Sequence, residues 1–274
     1  MEVQEYRGIR GVVGAEVLTD DKNGITFGEP FELIPVAELN KSTETDSETH
    51  YYDNVPAIVI DSTGSDEVGI TGAVIPFNVL SKITGQFYDD ELGMFVEGER
   101  NPKYFALGYI TEKTDGTEVF VWRLKGKFNV PEDNHKTKDD GTDASGQELT
   151  YTGINTNHKF VKTGKTAKAV NIEQDVNPQN ESLFFSAVQT PDTVAKTCEV
   201  TFAPTPTNAS IEVKKGTVAI TPDAGGKYNL VAGSYTYTAS ATGYTTQEDV
   251  TLTIADSDVT TGEKEVTVTL VAEV

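Results

Sequence analysis

The sequence predicts a mainly β protein with one flanking helix and a small β-sandwich appended at the C-terminal end. Val, Ile, Tyr, Phe and Thr are abundant and Ala-Leu-Glu-Lys runs are scarce, a balance that suits pleated, half-buried strands better than helices. Apolar and polar residues alternate over short runs bounded by Gly, Asp and Asn clusters. Past residue 190 the texture shifts to short Thr-, Val- and Ala-rich runs with turn signals at the intervals of a small sandwich.

Residues 104–131 are the centre of the expected fold. Tyr104, Ala106, Gly108 and Ile110 alternate with Phe105, Leu107 and Tyr109; a turn follows at Lys113-Thr114-Asp115-Gly116; Val119, Val121 and Arg123 then alternate with Phe120, Trp122 and Leu124. That pattern predicts a β-hairpin. Large side chains stand on both faces, so one face is expected to pack inside the subunit and the other against a neighbour, with Tyr109, Phe120 and Trp122 as candidate contacts.

Ahead of this hairpin, residues 6–37 read as two strands joined at Asp20-Asp21-Lys22-Asn23-Gly24. Residues 38–54 are polar and acidic, without apolar periodicity until Tyr51 and Tyr52. They read as a solvated loop, or as an arm that orders against a second copy with Tyr51 and Tyr52 as its anchors. Strands are expected at 58–60 and 67–74 around Ser62-Thr63-Gly64. A helix is expected at 76–86, opened by Pro76, striped by Phe77, Leu80 and Ile83, and stopped at Gly85. Residues 87–103 read as connecting material and 132–147 as a second long polar loop. Strands at 149–154, 159–161 and 167–173 return to the sheet, and 180–188 fits either a short helix or a strand. The expected division is a first domain of residues 1–192 and a second of 193–274, with strands at 198–203, 210–213, 217–221, 227–231, 233–242, 247–254 and 264–271.

Charge narrows the function classes. Lys and Arg number 22 against 43 Asp and Glu, a formal net charge of −21, of which residues 193–274 carry only −5. Such a chain lacks the cations that phosphate contacts require and does not wrap nucleic acid; it suits either simple solubility or a surface that a polyanion passes without sticking. The single cysteine, Cys198, leaves no intramolecular disulfide. The start, MEVQEYRGIRGVV, has no apolar leader run, and no stretch approaches the roughly 18 apolar residues of a membrane span, so folding in a cytoplasm is expected.

No catalytic pattern emerges, so neither enzyme activity nor a cofactor or metal is expected. His50, His135 and His158 lie in or beside polar stretches without ligand spacing, and Asp139-Asp140-Gly141-Thr142-Asp143 lacks the closing Glu of a calcium loop. There is no phosphate-cradling glycine loop and no Gly-x-Ser-x-Gly.

Residues 1 to about 190 resemble the major tail tube proteins of long, non-contractile-tailed bacteriophages (siphophages). The likeness is carried by Tyr51-Tyr52-Asp53, the 76–86 segment continuing to Phe87-Tyr88-Asp89-Asp90, Pro102-Lys103-Tyr104-Phe105-Ala106-Leu107-Gly108-Tyr109, and above all 109–131 with Val121-Trp122, Lys125-Gly126-Lys127-Phe128 and Pro131. The resemblance implies a tail-tube β-sandwich or barrel with a flanking helix, a homo-oligomer of hexameric rings stacked into a virion tube assembled in the host cytoplasm. It also implies contact with tape measure, tail terminator and distal tail proteins, and DNA passing through the lumen without sequence-specific binding. Residues 197–274 resemble small immunoglobulin-like or PEGA-type bacterial surface modules, on 227–237 and Gly243-Tyr244. That likeness implies an outward decoration, or alternatively an adhesin-like module that contacts the host surface through Tyr235, Tyr237 and Tyr244.

Overall fold

A computed structural model of the chain describes residues 3–133 and 146–273. These fall into two compact units, residues 1–171 with 190–192 and residues 172–189 with 193–274. Both are mainly β, as the composition predicts, with three short helices among the described residues.

Strands β1 (Tyr6–Asp20), β2 (Ile25–Phe27), β3 (Phe31–Glu32), β4 (Val36–Tyr52) and β5 (Val55–Gly72) come first. Helix α1 (Phe77–Thr84), the small hairpin β6 (Phe87–Asp89) and β7 (Met94–Val96), and strands β8 (Phe105–Lys113), β9 (Glu118–Phe128), β10 (Gln147–Gly153) and β11 (Ala169–Glu173) follow. One nine-stranded sheet runs β2-β1-β8-β9-β10-β5-β4, with β3 beside β1 and β11 beside β9.

The expected central hairpin is β8–β9, turned at Lys113-Thr114-Asp115-Gly116. Phe105, Leu107, Tyr109, Val119 and Val121 share one core with Val68, Ile70, Leu80, Ile83, Leu149 and Tyr151. The opposite face is also buried: Ala106, Ile110, Phe120, Trp122 and Leu124 expose 3% of their surface or less. Trp122 stands opposite Gly108 in register, where an added Cβ would come within 3.0 Å of the indole and 2.8 Å of Val13 Cγ2. The glycine makes the notch that the ring fills.

Several expectations need correction. Residues 38–54 are not a loop: they pair with β5 from Val36↔Gly72 out to Tyr52↔Val55. The strands expected at 58–60 and 67–74 belong to one continuous strand, since Ser62-Thr63-Gly64 is ladder and the real turn is Asp53-Asn54. Residues 159–161 form no strand and lead into a turn, the backbone N–H groups of Val161 and Lys162 being taken by the Asp192 carboxylate at 2.9 and 2.8 Å. The stretch after α1 forms β6–β7, its turn held by Asp89, which accepts from the N–H groups of Glu91 and Leu92. Most of the polar segment 132–147, with His135 and 139–143, lies outside the described residues.

Helix α1 forms where expected, although Pro76 is its N-cap rather than its first residue and Gly85 closes it in the left-handed conformation. Leu80 and Ile83 face the core, while Phe77 stacks on Phe95 with ring centroids 5.4 Å apart.

In the second unit, Asn180 caps α2 (Glu181–Phe184), accepting from Leu183 N–H. Strands β12 (Cys198–Thr205), β13 (Ser210–Lys215), β14 (Val218–Ile220), β15 (Tyr228–Leu230), β16 (Gly233–Ser240), β17 (Gln247–Ile254) and β18 (Glu263–Thr269) follow, with α3 (Asp256–Thr261) before the last. They make two sheets, β15-β12-β18 and β14-β13-β16-β17, whose facing side chains form one core. Strands β12 and β18 are parallel.

Gly108→Val is expected to destabilise the protein by about 1–3 kcal/mol, the usual cost of overpacking. Urea denaturation followed by Trp122 fluorescence measures it, and a wild-type midpoint would mean that the notch is not filled as described.

Candidate assembly surface

Strands β4 and β5 outrun the sheet that carries them. Along β5 buried positions alternate with accessible ones from Asp66 to Gly72, but residues 55–64 are exposed without exception. Along β4 only Thr43 and His50 are even half-buried beyond Leu39. The outer part of the pair is therefore a two-stranded ribbon with water on both faces. Its turn residues Asp53 and Asn54 have φ of 51° and 63°, the left-handed pair that a tight two-residue hairpin requires.

The tip is apolar. Tyr51 and Tyr52 are 64% and 62% exposed, and Val55, Ile58, Val59 and Ile60 are all exposed beside them. The flanks are acidic: from Glu44 to Asp61 there are five carboxylates and no Lys or Arg. Strand β4 ends the sheet order, so among the described residues its outer edge has no neighbouring strand to take up its N–H and C=O groups. An apolar tip, a free edge and charged flanks make a surface able to bind another chain through side chains and backbone together.

The other three candidate contacts are placed differently. Tyr109, Phe120 and Trp122 are 4%, 3% and 0% exposed, so their surface is used inside the chain and is closed to a neighbour. The alternation that singled them out marks a strand pair buried on both faces. Likewise Tyr235 and Tyr237 belong to the second unit's core and Tyr244 packs against it. The Tyr235 hydroxyl donates to the Val231 carbonyl, and burial pushes its pKa up to about 12.

At the ribbon's root a buried carboxylate gathers its surroundings. Asp66 accepts from Arg123 Nη1 at 2.7 Å, from Thr43 Oγ1 at 3.0 Å and from Lys168 Nζ at 3.1 Å. Arg123 Nε in turn donates to the Tyr109 hydroxyl at 3.2 Å. Burial pushes the Asp66 carboxyl up, but hydrogen bonds from Lys168 and Thr43 and the charges of Arg123 and Lys168 outweigh it and hold it below the usual value. Asp20 repeats the arrangement at the end of β1, bonded by Lys125 Nζ at 2.6 Å and by the backbone N–H groups of Asn157 and His158, and is likewise held low against its burial. Asp66 and Arg123 wall an open cleft of about 1060 Å³, but their bonds are to each other and to Thr43, Lys168 and Tyr109. The arrangement positions strands rather than presenting a free acid, base or nucleophile.

Residues 47–174 match the family model of the phage tail tube protein. The match supports a phage tail tube protein. It runs from the outer half of β4 through the ribbon tip, α1 and the β8–β9 hairpin to the end of β11. It supports a structural subunit located in the virion tail, which assembles with other tail proteins as a multimer. No curated protein matches the chain. Among the described residues, no helix is long and apolar enough to cross a membrane.

Asp20 and Asp66 are more acidic folded than unfolded, so their stabilisation is complete above the ordinary value of 3.8 and is lost as pH falls below it through the folded values. Unfolding midpoints measured from pH 7 down to pH 2 are expected to drop steeply below about pH 4. Asp66→Asn should cost about 3–5 kcal/mol at pH 7, because Arg123 is left buried without its partner, and should flatten the acid limb. An acid limb of unchanged steepness would remove Asp66 from this role.

Proposed function

We propose that the chain is the major structural subunit of a siphophage tail tube. Copies close into hexameric rings, and rings stack into a hollow tube that conducts DNA. Residues 1–192 build the tube, and residues 193–274 form an immunoglobulin-like or PEGA-type decoration carried outside it. Assembly takes place in the host cytoplasm, with tape measure, tail terminator and distal tail proteins as partners. Cofactors and metals have no part in this role.

The observation that carries the reading is the ribbon, a two-stranded arm holding Tyr51, Tyr52 and Ile58–60 out in water. Such a ribbon is marginal alone and gains most when another surface covers it. An arm that docks on a different patch of the next copy makes a head-to-tail contact, which closes into rings or propagates as a stack. The first 192 residues carry −16 of the net charge, which favours a lumen along which DNA slides without adhering.

Concentrated full-length protein, viewed by negative-stain electron microscopy across a dilution series, is expected to show rings or tubes. A sample that stays monomeric at every concentration would overturn the proposal. Tyr51→Ser with Tyr52→Ser is expected to shift the monomer's stability by no more than about 0.5 kcal/mol, since both side chains are exposed, while raising the concentration needed for assembly about tenfold or more. Unchanged assembly would remove the tip from the contact.

A further inference from the structure

We infer that Asp66 is the residue that sets the arm's direction, making the β4–β5 ribbon a braced strut rather than a strap free to swing. The inference rests on the arm-mediated assembly proposed above, in which only an arm presented at a fixed angle meets its site on the next copy without a large ordering cost.

Beyond Ser65 both faces of the ribbon are in water, so no core packing fixes its angle to the sheet. Whatever fixes it must act at the root. Asp66 stands there, as the last buried residue of β5 before the exposed run. Opposite it the ladder slips between Thr43 and Thr45, an irregularity of the kind at which strands bend. The root is thus the natural hinge.

Three groups brace that hinge from three directions. Thr43, the ladder partner of Asp66, ties the two strands of the ribbon to each other through the carboxylate. Arg123 ties the same carboxylate to β9 in the middle of the sheet and is itself held by the Tyr109 hydroxyl. Lys168 bonds Asp66 and also the carbonyl of Gly64, two residues further out, so it grips the ribbon beyond the core. The side chains of Asp66 and Arg123 are each only 6% exposed and that of Lys168 15%, so water does not readily substitute for these charge-assisted bonds. A purely structural ion pair could sit anywhere in the sheet; this one stands at the point where packing stops.

The test uses the full-length chain with spin labels on Val59→Cys at the arm and Leu18→Cys on the body, both positions being exposed and the native Cys198 buried. Pulsed electron resonance on single copies is expected to give one narrow distance distribution. Asp66→Asn and Lys168→Met should each broaden it about twofold or more while cooperative unfolding is retained, and should weaken tube formation. If Asp66→Asn fails to fold, Lys168→Met decides, because it removes the outer grip and leaves the Asp66–Arg123 pair intact. Wild-type width in the folded variants would overturn the inference. These distances are measured on unassembled protein, so a wild type that never forms tubes counts against the assembly reading alone.

Discussion

Burial of the β8–β9 hairpin on both faces is the constraint from which the rest of the first unit follows. Its Tyr109 face belongs to the main core and its Trp122 face is closed just as fully, with the indole seated in the notch left by Gly108. A strand pair enclosed in this way cannot also offer a face to a neighbour. The edge and outer length of β4–β5 remain free of that enclosure, and they are the surface proposed above for association.

That surplus is managed by charge. A long exposed strand edge invites pairing with any other edge, and carboxylates along it discourage the wrong ones. The ribbon carries five between Glu44 and Asp61, and the whole chain carries −21. In the proposed assembly, copies would meet across a repulsion that salt screens, through the short apolar tip together with backbone pairing. Specificity then rests on geometry, which is why the buried Asp66 cluster at the root matters more than its size suggests.

Much of the fold was legible in the sequence because burial imprints a period. The β8–β9 alternation, the Leu80 and Ile83 stripe closed by Gly85, and the strands around Tyr228, Tyr235 and Leu252 all face a core, and their side chains show it. The arm was illegible for the same reason. Thr43, Thr45, Ser47 and Thr49 interleave with Glu44, Asp46 and Glu48 on a strand with no buried face, so the apolar period that marks strands elsewhere is missing. Two signals remained: the β-tolerant Thr and Ser at every second position, and the turn-forming pair Asp53-Asn54. Tyr51 and Tyr52 are exposed, as a contact residue must be, whereas Tyr109, Phe120 and Trp122 are buried within the chain, since sequence gives a side chain's face but not what covers it. Arg123 and Asp66 gave no sign of each other across 57 residues, because a buried ion pair leaves no periodic trace.

The central claim is that the ribbon of one copy lies against another. A benzophenone attached at Val59→Cys, the only reactive thiol while Cys198 stays buried, captures on irradiation whatever the tip touches. In assembled protein the account expects efficient crosslinking between copies to one defined segment, lost on dilution to monomer. Adducts confined to the labelled copy itself, or no adducts in well-formed tubes, would contradict it.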